Sequence, residues 1–168
     1  MTEHRDLLEI LAQVFIAFAG FAGVIAAFST IRLSPEATAF RVRALVTVAL
    51  FSLVASLVPF LAGAFNALEA TVVRVSAFVA ALEMSVFALW AIRQLLLLYS
   101  ARLLDTQIYA ALLMCVGLLA ILALFAVSGG LLQEVAGAVF LSGLFLNVVL
   151  CSYYFIMVIF AVEIKTQR

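Results

Sequence analysis

The sequence predicts an all-α integral membrane protein, built as a bundle of about five transmembrane helices. The first observation is composition: the 168 residues are 68% hydrophobic and only 11% charged, with a mean hydropathy of +1.34. Soluble domains are about half apolar and a quarter charged, and a water-soluble fold of this length cannot hide so much apolar surface. The second observation is that the apolar residues fall into five runs, each near the roughly 20 residues that a helix needs to span a bilayer.

These five runs form a single transmembrane domain that covers residues 1–168. The predicted helices lie at about 8–31, 44–65, 74–98, 107–128 and 135–162. Because lipid offers no hydrogen bonds to backbone groups, runs of this length are expected to be helical. The connections between them are short and polar, and none is long enough for a soluble domain. The main alternative is that the first run lies flat or re-enters the membrane, which leaves four spans.

Loop residues indicate where two of the helices begin and end. Ser34, Pro35 and Glu36 are typical of a helix start, with serine as the N-cap and proline at the first position. The carboxylate then lies near the positive end of the helix dipole. Gly129 and Gly130 offer the left-handed residue that commonly ends a helix, so the fourth helix is predicted to stop there.

The distribution of lysine and arginine predicts the orientation. With five spans and the N-terminus outside, only Arg5 and Arg74 fall on the outer side. The cytoplasmic side receives Arg32, Arg41, Arg43, Arg93, Arg102, Lys165 and Arg168. This bias follows the positive-inside rule, so the C-terminus is predicted to be cytoplasmic. The first run has no obvious processing site after it, which favours a retained helix over a cleaved signal peptide.

Glu83 is the strongest candidate for a functional residue. It lies near the middle of the third run, roughly 16 Å from the outer end for a helical rise of 1.5 Å per residue. An ionisable group at this depth is costly and usually faces a bundle interior or a wet cavity. Ser76, Glu83, Trp90 and Gln94 follow at intervals of seven, seven and four residues and therefore share one helix face. We predict an ion path or binding site along this polar stripe, with Arg93 tuning the field at its inner end.

Two interpretations of Glu83 stay open at this point. In one, Glu83 binds cations or protons, or belongs to a ring of carboxylates in a symmetric assembly. In the other, it is a protonated or paired carboxyl group that joins helices by a hydrogen bond. Asn147, an isolated amide in the fifth run, has the same two options: it bonds across helices, or it lines the same polar path as Glu83.

Small residues and a proline mark the first two helices. Ala19, Gly23 and Ala27 recur at steps of four and form a ridge of the kind through which membrane helices pack. We predict that the ridge serves packing within the chain or between subunits, and pore lining is the alternative. Pro59 removes a backbone hydrogen bond and is predicted to kink the second helix, with a gating hinge as the alternative. Ser56 or a neighbouring helix could satisfy the freed carbonyl.

Several classes of function find no support in the sequence. The net charge is zero and there is no basic run, which argues against nucleic acid as a partner. There is no nucleotide-binding loop, no Gly-x-Ser-x-Gly and no potassium-filter sequence. Cys115, Cys151 and His4 lack the spacing of a metal site. We therefore expect no catalytic residues, no metal and no cofactor, and we expect that the protein is not an enzyme.

The first and third helices resemble segments of a known group of proteins. The run from Phe18 to Phe28, Phe-Ala-Gly-Phe-Ala-Gly-Val-Ile-Ala-Ala-Phe, resembles the first helix of an uncharacterised family of small, multi-pass bacterial membrane proteins. The Arg-Val-Ser-Ala run that begins at Arg74 is similar to the start of one of their later helices. The resemblance implies a bacterial inner-membrane location, and it implies no activity.

The leading hypothesis is a homo-oligomeric membrane protein that conducts or binds cations or protons through the polar stripe centred on Glu83. Cyclic assembly is the common way in which a small subunit builds a larger function. The alternative is a non-conducting accessory or scaffold protein that binds a membrane partner or lipid. In that case Glu83 and Asn147 join helices, while Arg41 and Arg43 meet anionic head groups.

Overall fold

Five α-helices make up the part of the chain that the computed structural model describes, which is residues 5–29, 36–64, 68–100 and 107–166. The helices are α1 (Arg5–Ser29), α2 (Glu36–Ala64), α3 (Glu69–Ser100), α4 (Gln107–Ser128) and α5 (Ala136–Thr166). A short 3₁₀ turn, Gln133–Val135, precedes α5. Every regular element in these ranges is helical, so the predicted all-α bundle of five helices is confirmed.

Four of these helices are long and apolar enough to cross a membrane. Over the described residues, the candidate spans are Asp6–Val24, Ala39–Ala62, Glu69–Gln94 and Gln133–Ile159. The remaining helix, α4, contributes a shorter apolar stretch, Cys115–Ser128. Because α4 as a whole has 22 residues, it is about 33 Å long, comparable with the hydrocarbon core of a bilayer. Length and composition therefore identify a multi-pass membrane protein.

The helix ends follow local sequence signals. α2 begins at Glu36, where the Ser34-Pro35-Glu36 pattern predicts a start, although Ser34 and Pro35 lie outside the described residues. It therefore starts well before the apolar run, because the residues around Arg41 are helical even though they are polar. α4 ends in a Schellman motif: the Leu131 N–H donates to the Ala126 carbonyl at 2.9 Å. Gly130 takes the left-handed conformation there, with φ of 86°, as the glycine pair predicts.

The order of packing places α2 at the centre of the bundle. α2 packs against α1, α3 and α5, and α4 packs mainly against α3. α5 returns across the bundle and contacts each of the other four helices. We call the end with Arg74 and Gly130 the outer end, and the end with Phe40, Trp90 and Tyr154 the inner end, following the predicted orientation.

α1 packs into the bundle along most of its length. Its buried side chains run from Leu8 through Phe15 to Ala22. Near its inner end, Phe18 and Phe21 pack against Phe155 of α5, with ring centroids 6.1 and 5.9 Å apart. A helix that lay flat on the membrane surface could not pack lengthwise against its neighbours in this way. This arrangement favours five spanning helices over four.

Pro59 lies within α2 and does not end it. The helix continues to Ala64, and the proline ring is buried. The missing proline N–H leaves the carbonyl of Ala55 without its usual helical donor. The Ser56 hydroxyl does not serve that carbonyl: it donates to the Leu53 carbonyl at 2.8 Å instead. The Ser56 hydroxyl, one of the two donors that the sequence suggests for the Ala55 carbonyl, therefore does not bond to it.

Candidate functional site

Glu83 lies at the middle of the membrane span of α3. Fourteen residues separate it from Glu69 at the outer end of the span and eleven from Gln94 at the inner end. These separations correspond to about 21 and about 16 Å of helix. The side chain is half-buried, and it makes no hydrogen bond or ion pair with any other residue that the structure describes. A carboxyl group without a partner at this depth is energetically expensive, which makes it a candidate for function.

The other members of the polar stripe differ in how their polar atoms are used. Ser76 is fully buried, and its hydroxyl donates to the Val72 carbonyl of the same helix at 2.7 Å. Gln94 is half-buried towards the inner end. Arg93, on a neighbouring face, is exposed. The stripe is therefore one helix face, as the spacing predicts, but only Glu83 combines a mid-span position with unpaired oxygen atoms.

Aromatic residues from three helices show which way the stripe faces. Trp90 stacks on Phe40 of α2, with ring centroids 5.4 Å apart and planes inclined by 26°. Phe40 also meets Tyr154 of α5 edge-on, at 6.3 Å. Phe87 adds a further ring against Trp90, at 5.8 Å. We call Phe40, Phe87, Trp90 and Tyr154 the aromatic layer. Because Trp90 belongs to the stripe, the stripe faces α2 and lies near α5.

The aromatic layer fixes the level of Asn147 relative to Glu83. Trp90 lies seven residues inward of Glu83 on α3, and Tyr154 lies seven residues inward of Asn147 on α5. Seven residues make about two helical turns, so each polar residue projects from nearly the same side of its helix as its aromatic partner. The two rings both contact Phe40. Glu83 and Asn147 therefore share one level, on the sides of α3 and α5 that face α2.

Contacts nearer the outer end give the same alignment independently. Phe78 of α3 packs edge-on against Phe125 of α4, with centroids 6.3 Å apart. The adjacent Leu124 lies against Gly143 of α5, where a Cβ atom would come within 3.3 Å of it. Phe78 is five residues outward of Glu83, and Gly143 is four residues outward of Asn147. The two alignments agree to within about one residue, a rise of about 1.5 Å.

Asn147 is the buried polar residue of α5 in the described part of the chain. It is 8% exposed, and it makes no hydrogen bond to any described residue. The structure thus brings Asn147 to the level of Glu83, while Ser76 lies about two turns further outward along α3. Within the described residues, no hydrogen bond joins the Asn147 amide to a neighbouring helix. Its position suits a group that shares a polar site with Glu83.

The small-residue ridge of α1 lies partly outside the bundle core. Ala19 is half-buried and packs against the core, whereas Gly23 is exposed. A Cβ atom added at Gly20 or Gly23 would meet nothing within 4 Å, so these glycines are not required for close packing inside the subunit. The side chain of Ala27 lies outside the described residues. The exposed part of the ridge is therefore free to contact lipid or another chain.

Two features of the interior are not evident from the sequence patterns. Ser52 of α2 is 1% exposed. Among the described residues, its hydroxyl oxygen is the only fully buried side-chain oxygen that has no hydrogen-bond partner. The aromatic layer is the second feature, and its rings come from helices far apart in sequence. One sequence signal could have indicated the aromatic layer: on both α3 and α5, an aromatic residue follows a polar residue by seven positions.

The chemistry available at this site is that of oxygen ligands. Over the described residues, no group of three or more histidine, cysteine, aspartate or glutamate side chains is placed to hold a metal ion. Cys115 is exposed and Cys151 is buried, and both are free thiols. Glu83 offers a carboxylate and Asn147 an amide carbonyl, which are hard donors suited to alkali cations or to a proton.

Comparison with known proteins identifies no relative of this chain. No family model matches the chain, no curated protein matches it, and no solved structure matches it.

Proposed function

We propose that the protein is a homo-oligomeric membrane protein that binds a cation or proton at Glu83 in the middle of the bilayer and carries it across. The observation behind the proposal is the half-buried Glu83 carboxyl at mid-span, which has no bonding partner among the described residues. Intramembrane carboxyl groups are costly, and they typically occur where an ion or a proton is handled.

The second support for the proposal is the position of Asn147. A carboxyl group that only joined helices would be paired with a donor on a neighbouring helix. Asn147 lies at the right level and could donate through its amide, yet no hydrogen bond joins it to Glu83 or to another described residue. The two side chains thus keep their oxygen atoms available for a ligand at one depth.

The proposal extends to assembly and location. Gly20 and Gly23 of α1 are exposed, so at these two positions no side chain separates the helix backbone from a neighbouring helix. Assembly of copies around an axis is the common solution for small subunits. The excess of arginine and lysine at one end supports an N-terminus outside and a C-terminus in the cytoplasm, and the resemblance of α1 supports a location in the inner membrane of a bacterium.

The test is flux of sodium, potassium and protons into liposomes that contain the purified protein. We expect flux with the native protein and its loss or a changed ion preference with Glu83→Gln, since the amide keeps the size of the side chain and removes its charge. Glu134→Gln is the matched control, because Glu134 is exposed near the outer end, far from mid-span. Its flux should equal that of the native chain.

The accessory alternative predicts a different result. Folded and inserted protein that moves no cation, anion or proton would contradict the proposal and favour a scaffold that binds a membrane partner or lipid. Equal flux from native protein and Glu83→Gln would also contradict it, because the ion would then cross elsewhere. The oligomeric state in detergent, measured by light scattering with Gly23→Leu beside the native chain, tests the assembly part separately.

A further inference from the structure

We infer that Thr47 completes the site, so that Thr47, Glu83 and Asn147 hold one monovalent cation between α2, α3 and α5. This inference deepens the proposed function and rests on it. It adds a ligand from a third helix, and it names the ion class as a monovalent metal cation, such as sodium or potassium, in preference to a proton.

The position of Thr47 follows from the same register that aligns the other two residues. Thr47 lies seven residues beyond Phe40 on α2, and α2 runs from the inner end towards the outer end. About two turns therefore separate Thr47 from the aromatic layer, in the same direction as Glu83 and Asn147. Phe40 contacts the rings of both Trp90 and Tyr154. Thr47 is half-buried, at the border between this packed side of α2 and the exposed side that carries Arg43, Leu50 and Val54.

The three residues thus form a polar level about 10 Å outward of the aromatic layer. Thr47 and Glu83 are half-buried, and Asn147 is buried. The three helices that carry them contact one another in all three pairs. The site is therefore shared by helices that are already packed together.

The hydroxyl of Thr47 is available in a way that nearby hydroxyls are not. The Ser85 hydroxyl, close to Glu83 along α3, donates to the Ala81 carbonyl at 2.7 Å. In α5, the Ser152 hydroxyl donates to the Val148 carbonyl at 2.9 Å. Thr47 makes no such bond to a described residue. Its oxygen keeps both lone pairs for a ligand.

The donor set indicates a monovalent cation. A carboxylate, an amide carbonyl and a hydroxyl are all hard oxygen ligands, which suit alkali and alkaline-earth cations over transition metals. Calcium sites use six to eight oxygen atoms and usually several carboxylates. Here Glu83 is the only acidic side chain at this level among the described residues. One carboxylate balances one positive charge, and a buried charge needs such balance. Binding of a proton would require only the Glu83 carboxylate. A requirement for Thr47 and Asn147 therefore distinguishes a metal cation from a proton as the ligand.

The test is equilibrium binding of radioactive sodium to the purified protein, with potassium as competitor. Thr47→Val removes the hydroxyl and keeps the shape of the side chain, and Asn147→Leu removes the amide at similar volume. We expect each to weaken sodium binding about tenfold and to change the sodium-to-potassium preference. Ser85→Ala is the matched control and should bind as the native chain does, because its hydroxyl is already bonded within α3.

The outcomes separate this inference from the function on which it rests. If Glu83→Gln abolishes flux while Thr47→Val and Asn147→Leu keep native affinity and preference, the three-helix site is wrong and the role of Glu83 stands. If native protein shows proton flux but no sodium or potassium binding, the ion class is wrong. If native protein neither binds cations nor carries any ion, both proposals are overturned. Circular dichroism and gel filtration of each variant exclude misfolding as the cause.

Discussion

Two levels of the bundle differ in the polar side chains that they hold. Towards the outer end, the hydroxyls of Ser56, Ser76 and Ser128 donate to carbonyls three or four residues earlier in their own helices, at 2.7–2.8 Å, and Ser52 is the exception. At mid-span the Ser85 hydroxyl also bonds within its helix, but Thr47, Glu83 and Asn147 bond to no described residue. We call these the outer level and the middle level.

The difference between the levels distinguishes polar side chains that only stabilise a helix from polar side chains that are available to a ligand. A serine that bonds to its own helix satisfies its hydroxyl without help and can be buried at little cost. A carboxyl or amide group has no equivalent partner within an α-helix, and leaving it unpaired in lipid costs several kcal/mol. The middle level therefore lowers the stability of the protein, and a ligand can recover that loss on binding.

Among the predicted effects on stability, the largest is expected when a buried side chain near the outer level is removed. Phe140 of α5 is 1% exposed, and Phe140→Ala should lower the free energy of unfolding by about 3 kcal/mol because it leaves a cavity. Phe145 lies on the same helix but is 50% exposed, so Phe145→Ala is the control and should have a small effect. Unfolding in detergent mixtures measures both. Equal losses would show that α5 does not pack through Phe140.

A smaller loss is expected at the outer end of α4. Gly130 has φ of 86°, and a Cβ atom there would come within 3.1 Å of the Arg74 guanidinium. Gly130→Ala should therefore cost about 1–2 kcal/mol of unfolding free energy. Gly129→Ala is the comparison, because no left-handed angle is imposed at Gly129. The helix end is misassigned if the two variants unfold at the same denaturant concentration. Neither change should alter cation binding.

The smallest effects are expected from the buried serines, and they should differ in sign. Ser52→Ala removes a buried hydroxyl that has no partner, so we expect no loss of stability or a gain of about 1 kcal/mol. Ser76→Ala removes a hydroxyl that is bonded to the Val72 carbonyl, so we expect a loss of about 0.5–1 kcal/mol. Flux should stay at the native level in both. A strong effect of Ser76→Ala on flux would instead place Ser76 on the ion path.

The fold was predictable because a membrane imposes a length and a composition on each helix. The five apolar runs match the five helices, and the glycine pair predicts the end of α4. The helix starts do not follow from hydropathy, which marks where lipid begins, because a helix continues for several residues into the polar region. The Ser34-Pro35-Glu36 pattern predicts the start of α2 at Glu36, whereas the apolar run at 74–98 misses the start of α3 at Glu69.

The site was predictable only in part. The depth of Glu83 and the shared face of its stripe follow from helical geometry alone. Which neighbour that face meets depends on the packing of non-adjacent helices, and one sequence does not contain this information. No sequence pattern singles out Thr47, and its depth follows only from the contacts of Phe40 with Trp90 and Tyr154. The spacing of Ser76 likewise could not show that its hydroxyl bonds within α3.

The most direct test of the central claim, that Glu83 binds a cation inside the membrane, is labelling by a hydrophobic carbodiimide. Such a reagent enters the bilayer and reacts with carboxyl groups there, and mass spectrometry of the intact protein counts the label. The account predicts that native protein is labelled at Glu83, that Glu83→Gln is not, and that sodium or potassium slows the labelling in proportion to occupancy of the site. Labelling of Glu83 at a rate that no cation changes would contradict it.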